Sequence, residues 1–417
     1  MIHLKYSWPS GLLWRLVNAL RMRTKNLLAL ALPCLLLGGF FSARGADWVV
    51  TWGTSPQLTE PRNLPPAPGL TGNTLRQIIN VSIGGEKLRV RFSNVFGTNA
   101  VTLNAVHMAL SGDGSAIKTE TDTALTFDGK PSVTIPAGES ILSDDFNFHL
   151  EPLAKVAVTI NFGGISGNVT GHPGSRTTSY LLAGNQVSAA NLPDAMTTQH
   201  WYFLNDIDVQ AESGGAVATL GDSITDGRGS GTDKNDRWPD NLARRLQSNS
   251  GTADIAVLNE GIGGNCVLRG GLGPTAMSRF NRDVLSQSGV HWMILFEGVN
   301  DIGGSHNPNV ATNLINAFES VIQQAHEHHI LVYGATITPF GTSFYDSPAH
   351  ETARQEVNQW IRTSGRFDGV IDFDAAVRDP KNPSRLLASA DNGDHLHPNE
   401  AGYRMMADAI DLKLFQH

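Results

Sequence analysis

The feature that most constrains this chain is a change of hydrophobic period near residue 210. From Trp48 to about Tyr202 the pattern repeats every two residues. Leu88, Val90 and Phe92 alternate with Lys87, Arg89, Arg91 and Ser93; Phe146, Phe148 and Leu150 alternate likewise, as do Val156, Val158 and Ile160. A strand buries one face and wets the other, so this alternation marks strands. Asp128-Gly129, between two such runs, reads as a hairpin turn. No long helical period interrupts the stretch, which predicts an antiparallel β-sandwich over residues 46–210. From Gly215 onward, continuous apolar runs at 216–220, 255–259, 292–297, 330–337 and 369–373 alternate with helical segments near 238–248, 275–287, 309–328 and 349–363. A last helix sets Tyr403, Met406, Ala407, Ile410 and Leu414 on one face. Buried strands separated by helices predict a parallel sheet covered on both sides, over residues 211–417. Functional groups are then expected at the carboxyl ends of its strands. The polar stretch Asn205–Gly214 is expected to be the linker.

Residues 1–45 read as a secretory signal. Residues 1–25 carry Lys5, Arg15, Arg21, Arg23 and Lys25 and no acid, an apolar run follows from Leu27 to Phe41, and small residues surround Gly45. The run is shorter than the about 20 residues a membrane span needs and contains Pro33. Cleavage after Gly45 removes six basic residues and no acidic ones, taking the net charge from −8 to −14. Such a surface disfavours nucleic acid. The only cysteines are Cys34 and Cys266, which excludes a disulfide framework and a cysteine-rich zinc site. The expectation is an exported protein, extracellular or periplasmic, with no stable membrane insertion once the signal is gone.

Four segments of the second half carry side chains suited to chemistry. The first strand runs into Gly221-Asp222-Ser223-Ile224, which puts a serine just past a strand end, where a nucleophile is exposed. The second leads to Glu260-Gly261-Ile262-Gly263-Gly264-Asn265, a loop able to present bare backbone N–H groups. The third ends at Gly298-Val299-Asn300-Asp301, with an amide at the same sheet edge. Late in the chain Asp394-His395-Leu396-His397 sets an acid and an imidazole three residues apart. Each alone reads as an ordinary turn or loop. Together they supply what ester hydrolysis needs: a nucleophile, a base, an acid that orients the base, and oxyanion donors.

In these four segments the chain resembles the SGNH (GDSL) hydrolase superfamily. The resemblance implies a flavodoxin-like three-layer α/β/α hydrolase domain, preceded here by the β-sandwich, whose Trp48-Val49-Val50-Thr51-Trp52 and Arg89–Asn94 stretches look like the extra β-domain of some secreted members. It implies a triad of Ser223, His397 and Asp394, and an oxyanion hole from the Ser223 and Gly264 backbone N–H groups and the Asn300 side chain. No metal or cofactor is called for. The expected partner is an ester substrate, an O-acetylated glycan being the leading expectation. The alternatives are a broad-specificity short-chain lipase or arylesterase, an acyltransferase, and a non-catalytic carbohydrate-binding protein.

Several neighbours read as structural. Asp222 and Asp301 are expected to brace their loops, His395 to be solvated, and Cys266 to be a small buried residue. His326, His328 and His329 end a helix, where cationic side chains suit the dipole. His350-Glu351-Thr352-Ala353-Arg354 imitates a zinc-protease motif but has arginine in place of the second histidine. Trp48 and Trp52 read as core rather than as sugar platforms. No Gly-x-Ser-x-Gly occurs, which argues against an ordinary α/β-hydrolase lipase.

Overall fold

The computed structural model describes residues 47–211 and 214–416. The expected signal segment lies outside these residues. The first half folds as three antiparallel sheets, two large ones and a small three-stranded one, Trp201–Tyr202, Thr170–His172 and Gln57–Leu58. One large sheet runs in the order Asp47–Gly53, Leu204–Ala211, Gly85–Ser93, with Ser140–Leu142 and Phe146–Leu150 both pairing onto Gly85–Ser93. The other large sheet is built on Lys155–Phe162, flanked by Thr74–Asn80 and Val101–Leu110. The alternation sets the burial: Leu88, Val90 and Phe92 are fully buried, whereas Lys87, Arg89 and Arg91 are half-buried. Asp128 and Gly129 both adopt positive φ between the bridged residues Phe127 and Lys130, the backbone a type I′ turn requires.

The expected linker is corrected by the structure. Residues Leu204–Ala211 form a central strand, not a connection. Leu204, Ile207 and Val209 point into the core, and the polar residues between them are neutralised across the sheet. Asp206 faces Arg91 and Asp208 faces Arg89, with Nε–Oδ2 distances of 2.9 and 2.8 Å. Opposite charges directly across a ladder stabilise it, and buried carboxylates persist only when paired.

The second half holds a five-stranded parallel sheet in the order Ile255–Gly261, Gly215–Gly221, Val290–Phe296, Leu331–Ala335, Gly369–Ile371. This 2-1-3-4-5 order is that of flavodoxin-like sheets, whose ligands bind at the carboxyl ends where the winding reverses. Register aligns those ends: Gly221 lies opposite both Gly261 and Phe296. The amphipathic helices Trp238–Gln247, Val310–Glu327, Pro348–Thr363 and Glu400–Asp408 bury apolar faces against the sheet or one another. The segment expected as a helix near 275–287 is helical, an α-helix over Ala276–Phe280 continued by a π-helix over Asn281–Leu285.

The two halves share one hydrophobic core, running from Val50 and Trp52 to Val217 and Leu258. The edge strand Ile255–Gly261 would otherwise expose unpaired N–H groups. The first half covers it: Thr54 bridges Asn259, and the Ser82 hydroxyl accepts from the Val257 N–H at 3.1 Å. Trp52 packs edge-on against Trp201 with ring centroids 4.9 Å apart, while Arg89 lies over Trp48 at 4.3 Å. Among the described residues, no helix is long and apolar enough to cross a membrane.

Candidate active site

Ser223 opens a one-turn helix, Ser223–Asp226, directly after the central strand. Asp222 caps it, its carboxylate accepting from the Ile224 N–H at 2.9 Å. Burial pushes the Asp222 carboxyl up to about 7 against the pull of that bond. Gly227 ends the turn at φ +97°, a conformation glycine adopts at no steric cost. Gly221 allows the close approach: a Cβ there would stand 2.0 Å from the Thr225 hydroxyl. At the first helical position the Ser223 N–H has no intrahelical acceptor.

His397 arrives from the loop before the last long helix. Its Nε2 is 2.9 Å from Ser223 Oγ and its Nδ1 is 2.7 Å from Asp394 Oδ2. The other Asp394 oxygen accepts from the Leu396 and His397 N–H groups at 3.1 and 2.9 Å, which fixes the loop. Burial lowers the His397 pKa, and Asp394 only partly restores it; the charges of Arg228 and Arg176 push further down. The imidazole is thus neutral near pH 7. Burial also pushes the Asp394 carboxyl up, but the hydrogen bonds from His397 and Leu396 outweigh it and hold Asp394 below its usual value.

Gly264 and Asn300 approach from the two neighbouring strand ends. Gly264 sits at φ +71°, its carbonyl accepting from the Leu272 N–H. Among the described residues its own N–H has no protein acceptor. Asn300 is buried. One of its amide N–H groups donates to the Asn265 carbonyl at 2.8 Å, and its Oδ1 accepts from the Tyr345 hydroxyl at 3.0 Å. The amide is therefore held in one orientation with its second N–H uncommitted. Asp301 braces the Gly264 loop, its two oxygens accepting from the Val267 and Leu268 N–H groups, both at 2.9 Å. All five residues expected from the sequence stand at one sheet edge.

Other expectations find definite places. His395 is exposed and pairs with Asp391 at 2.6 Å, away from Ser223. His326 pairs with Asp368, and His350 sets its two ring nitrogens against the Tyr345 and Ser305 carbonyls at 2.7 and 3.0 Å. Burial pushes the buried Cys266 thiol up to about 12, so it stays protonated. Among the described residues no group of three or more His, Cys, Asp or Glu could hold a metal ion.

Three supporting residues escaped sequence reasoning. Arg279 has no exposure. It donates to the Gly221 carbonyl behind Ser223, to Asn265 Oδ1 and the Glu260 carbonyl of the neighbouring loop, and to Ser55 Oγ of the first half. It contacts Asp283 at 3.1 Å and Glu297 at 3.3 Å, and burial pushes the Glu297 carboxyl well above the usual range. His172, also from the first half, reaches Asp226 of the Ser223 helix at 3.0 Å. Tyr345, which orients Asn300, lies in a loop after the fourth strand. A lone arginine, histidine or tyrosine carries no local signature; the only signal was the Arg279/Asp283 spacing of four.

The model of the GDSL-like Lipase/Acylhydrolase family matches residues 219–405. Among solved structures, similarity extends to an acetylxylan esterase from Geobacillus stearothermophilus, at 20% identity over 49% of this chain and 94% of that one, TM-score 0.37. A GDSL-like lipase from Bacteroides thetaiotaomicron is similar at 18% identity over 48% and 87%, TM-score 0.35. No curated protein sequence gives a significant match.

Proposed function

We propose, on the premise that residues 219–405 belong to the GDSL-like lipase/acylhydrolase family, that this protein is an exported serine esterase that deacylates O-acylated carbohydrate, acetyl esters first among them. The observation that carries this reading is the unbroken chain from Ser223 Oγ through His397 to Asp394, at 2.9 and 2.7 Å, beside the Gly264 and Asn300 donors.

In this mechanism Ser223 Oγ attacks the ester carbonyl carbon while His397 Nε2 takes its proton. Asp394 stabilises the imidazolium through Nδ1. The carbonyl oxygen becomes an anion between the Ser223 N–H, the Gly264 N–H and the free Asn300 N–H, donors already oriented before the reaction. Collapse breaks the bond to the alcohol, which leaves with the proton from Nε2. Water then repeats the cycle on the acyl-enzyme, and Ser223 is regenerated with release of the carboxylic acid.

The alcohol must leave beside His397. That side is bordered by Arg228, whose Nε lies 3.9 Å from Asp394 Oδ2, and by Arg176, 3.8 Å from Asp226. Guanidinium N–H groups can donate to hydroxyl oxygens, which supports a hydroxyl-rich alcohol over a lipid glyceride. The test is a screen of p-nitrophenyl acetate, butyrate and octanoate beside acetylated xylan and pectin. The expected result is acetate release from at least one polymer and poor turnover of octanoate. Rates that rise toward octanoate, with no release from either polymer, would establish a lipase instead.

A further inference from the structure

A cleft of about 620 Å³ opens beside Gly264 and Asn300. Its walls come from the segments 264–271 and 300–313 and from Tyr345, and none comes from the 394–397 loop. The chemistry of the site decides which part of an ester it holds. The leaving oxygen has to lie against His397 Nε2, and the oxyanion has to lie at Gly264 and Asn300. The remaining substituent of the tetrahedral carbon, the acyl chain, is directed away from His397, on the cleft side. An acetyl methyl would leave almost all of this space to water.

The lining is not that of a fatty-acyl channel. Cys266, Leu268 and Val310 provide apolar surface next to the oxyanion residues, but Ser305, Asn307 and Asn313 are polar. Two side chains lack partners: among the described residues Arg269 and Asn313 make no side-chain hydrogen bond or ion pair. Arg269 is exposed at the rim. Asp301 also borders the cleft, but both its oxygens are already taken by the Val267 and Leu268 N–H groups. The Asp301 carboxyl feels the charge of Arg269 through space, but Arg269 makes no direct ion pair, so its guanidinium at the rim keeps its N–H groups for a ligand. A planar guanidinium binds a carboxylate through two parallel bonds.

We propose that this cleft is the acyl-side subsite and that it takes a short acyl group ending in a carboxylate, of the succinyl class, paired by Arg269. The proposal rests on the esterase reading of Ser223 and extends it from acetyl to dicarboxylic half-esters. No new bond chemistry is involved: water cleaves the acyl-enzyme, and the dicarboxylic acid departs.

The test uses the whole exported protein and three esters of one alcohol, 4-methylumbelliferyl acetate, butyrate and hydrogen succinate, corrected for uncatalysed hydrolysis. Turnover of the acetate that disappears in Ser223→Ala checks the esterase reading by itself. The subsite predicts kcat/KM for the succinate at least about tenfold above the butyrate, the effect of one hydrogen bond to a charged group. It also predicts that Arg269→Gln, at an exposed position, reduces that ratio to near one. A butyrate equal to or better than the succinate overturns the proposal, as does a succinate preference that survives in Arg269→Gln. Either result leaves the esterase reading standing if the acetate is still turned over through Ser223.

Discussion

Removing the Asn300 side chain separates a transition-state contact from a structural one. In Asn300→Ala two hydrogen bonds vanish, from Asn300 to the Asn265 carbonyl and from Tyr345 to Asn300. At about 0.5–1.5 kcal/mol each, the fold loses roughly 1–3 kcal/mol, which a domain of this size tolerates. The uncommitted N–H is worth more, but only once the carbonyl oxygen carries charge. Loss of one oxyanion donor costs about 2.7–4 kcal/mol, or about 10²–10³-fold in kcat, with KM nearly unchanged. The neighbouring Asp301 gives the reverse pattern. Asp301→Asn leaves an amide oxygen that cannot serve both the Val267 and Leu268 N–H groups, so stability falls by about 1–3 kcal/mol while kcat falls much less. The assay is kcat and KM on p-nitrophenyl acetate together with the melting temperature of each variant. A folded Asn300→Ala enzyme that keeps kcat within about threefold, far inside the range for a donor, would refute the reasoning.

Three further outcomes follow from the geometry. The proposed mechanism requires neutral His397, so kcat/KM is expected to be lost as pH falls through its pKa. Burial sets that pKa below the usual value, so the acid limb lies below about 6.5 in a pH–rate profile. Tyr345→Phe keeps the ring but frees Asn300 Oδ1. It lowers kcat several-fold in the native background and has no further effect in Asn300→Ala, which a double-mutant cycle on kcat measures. Arg279→Met leaves the buried Gly221 carbonyl, Asn265 Oδ1 and Ser55 Oγ without their donor; urea unfolding should show a loss of roughly 3 kcal/mol or more, at about 1–3 kcal/mol for each buried group left unsatisfied.

The elements legible in the sequence were those whose signal is local. The run Ala216–Leu220 is apolar on both faces because helices cover both sides of the parallel sheet, and Leu88, Val90 and Phe92 alternate because one face of their sheet is buried. Ser223, Gly264, Asn300, Asp394 and His397 were legible because each follows a strand or precedes a helix in a recognisable order. What escaped was non-local. Asp206 and Asp208 looked like linker residues because their Arg91 and Arg89 partners are more than a hundred residues away. Arg279 drew no reading from the sequence, because nothing near it in the chain reveals Ser55, Gly221 or Glu297. The cleft is the meeting of two loops with Tyr345, a relation that no single stretch of chain encodes.

In the proposed mechanism everything depends on Ser223 being the nucleophile of a His397-activated site. The most direct measurement is active-site labelling with a fluorophosphonate followed by peptide mass analysis. One labelled residue, Ser223, is expected, with labelling and ester hydrolysis both abolished in Ser223→Ala while the melting temperature stays within a few degrees. Labelling or turnover that persists in a folded Ser223→Ala protein would contradict that role.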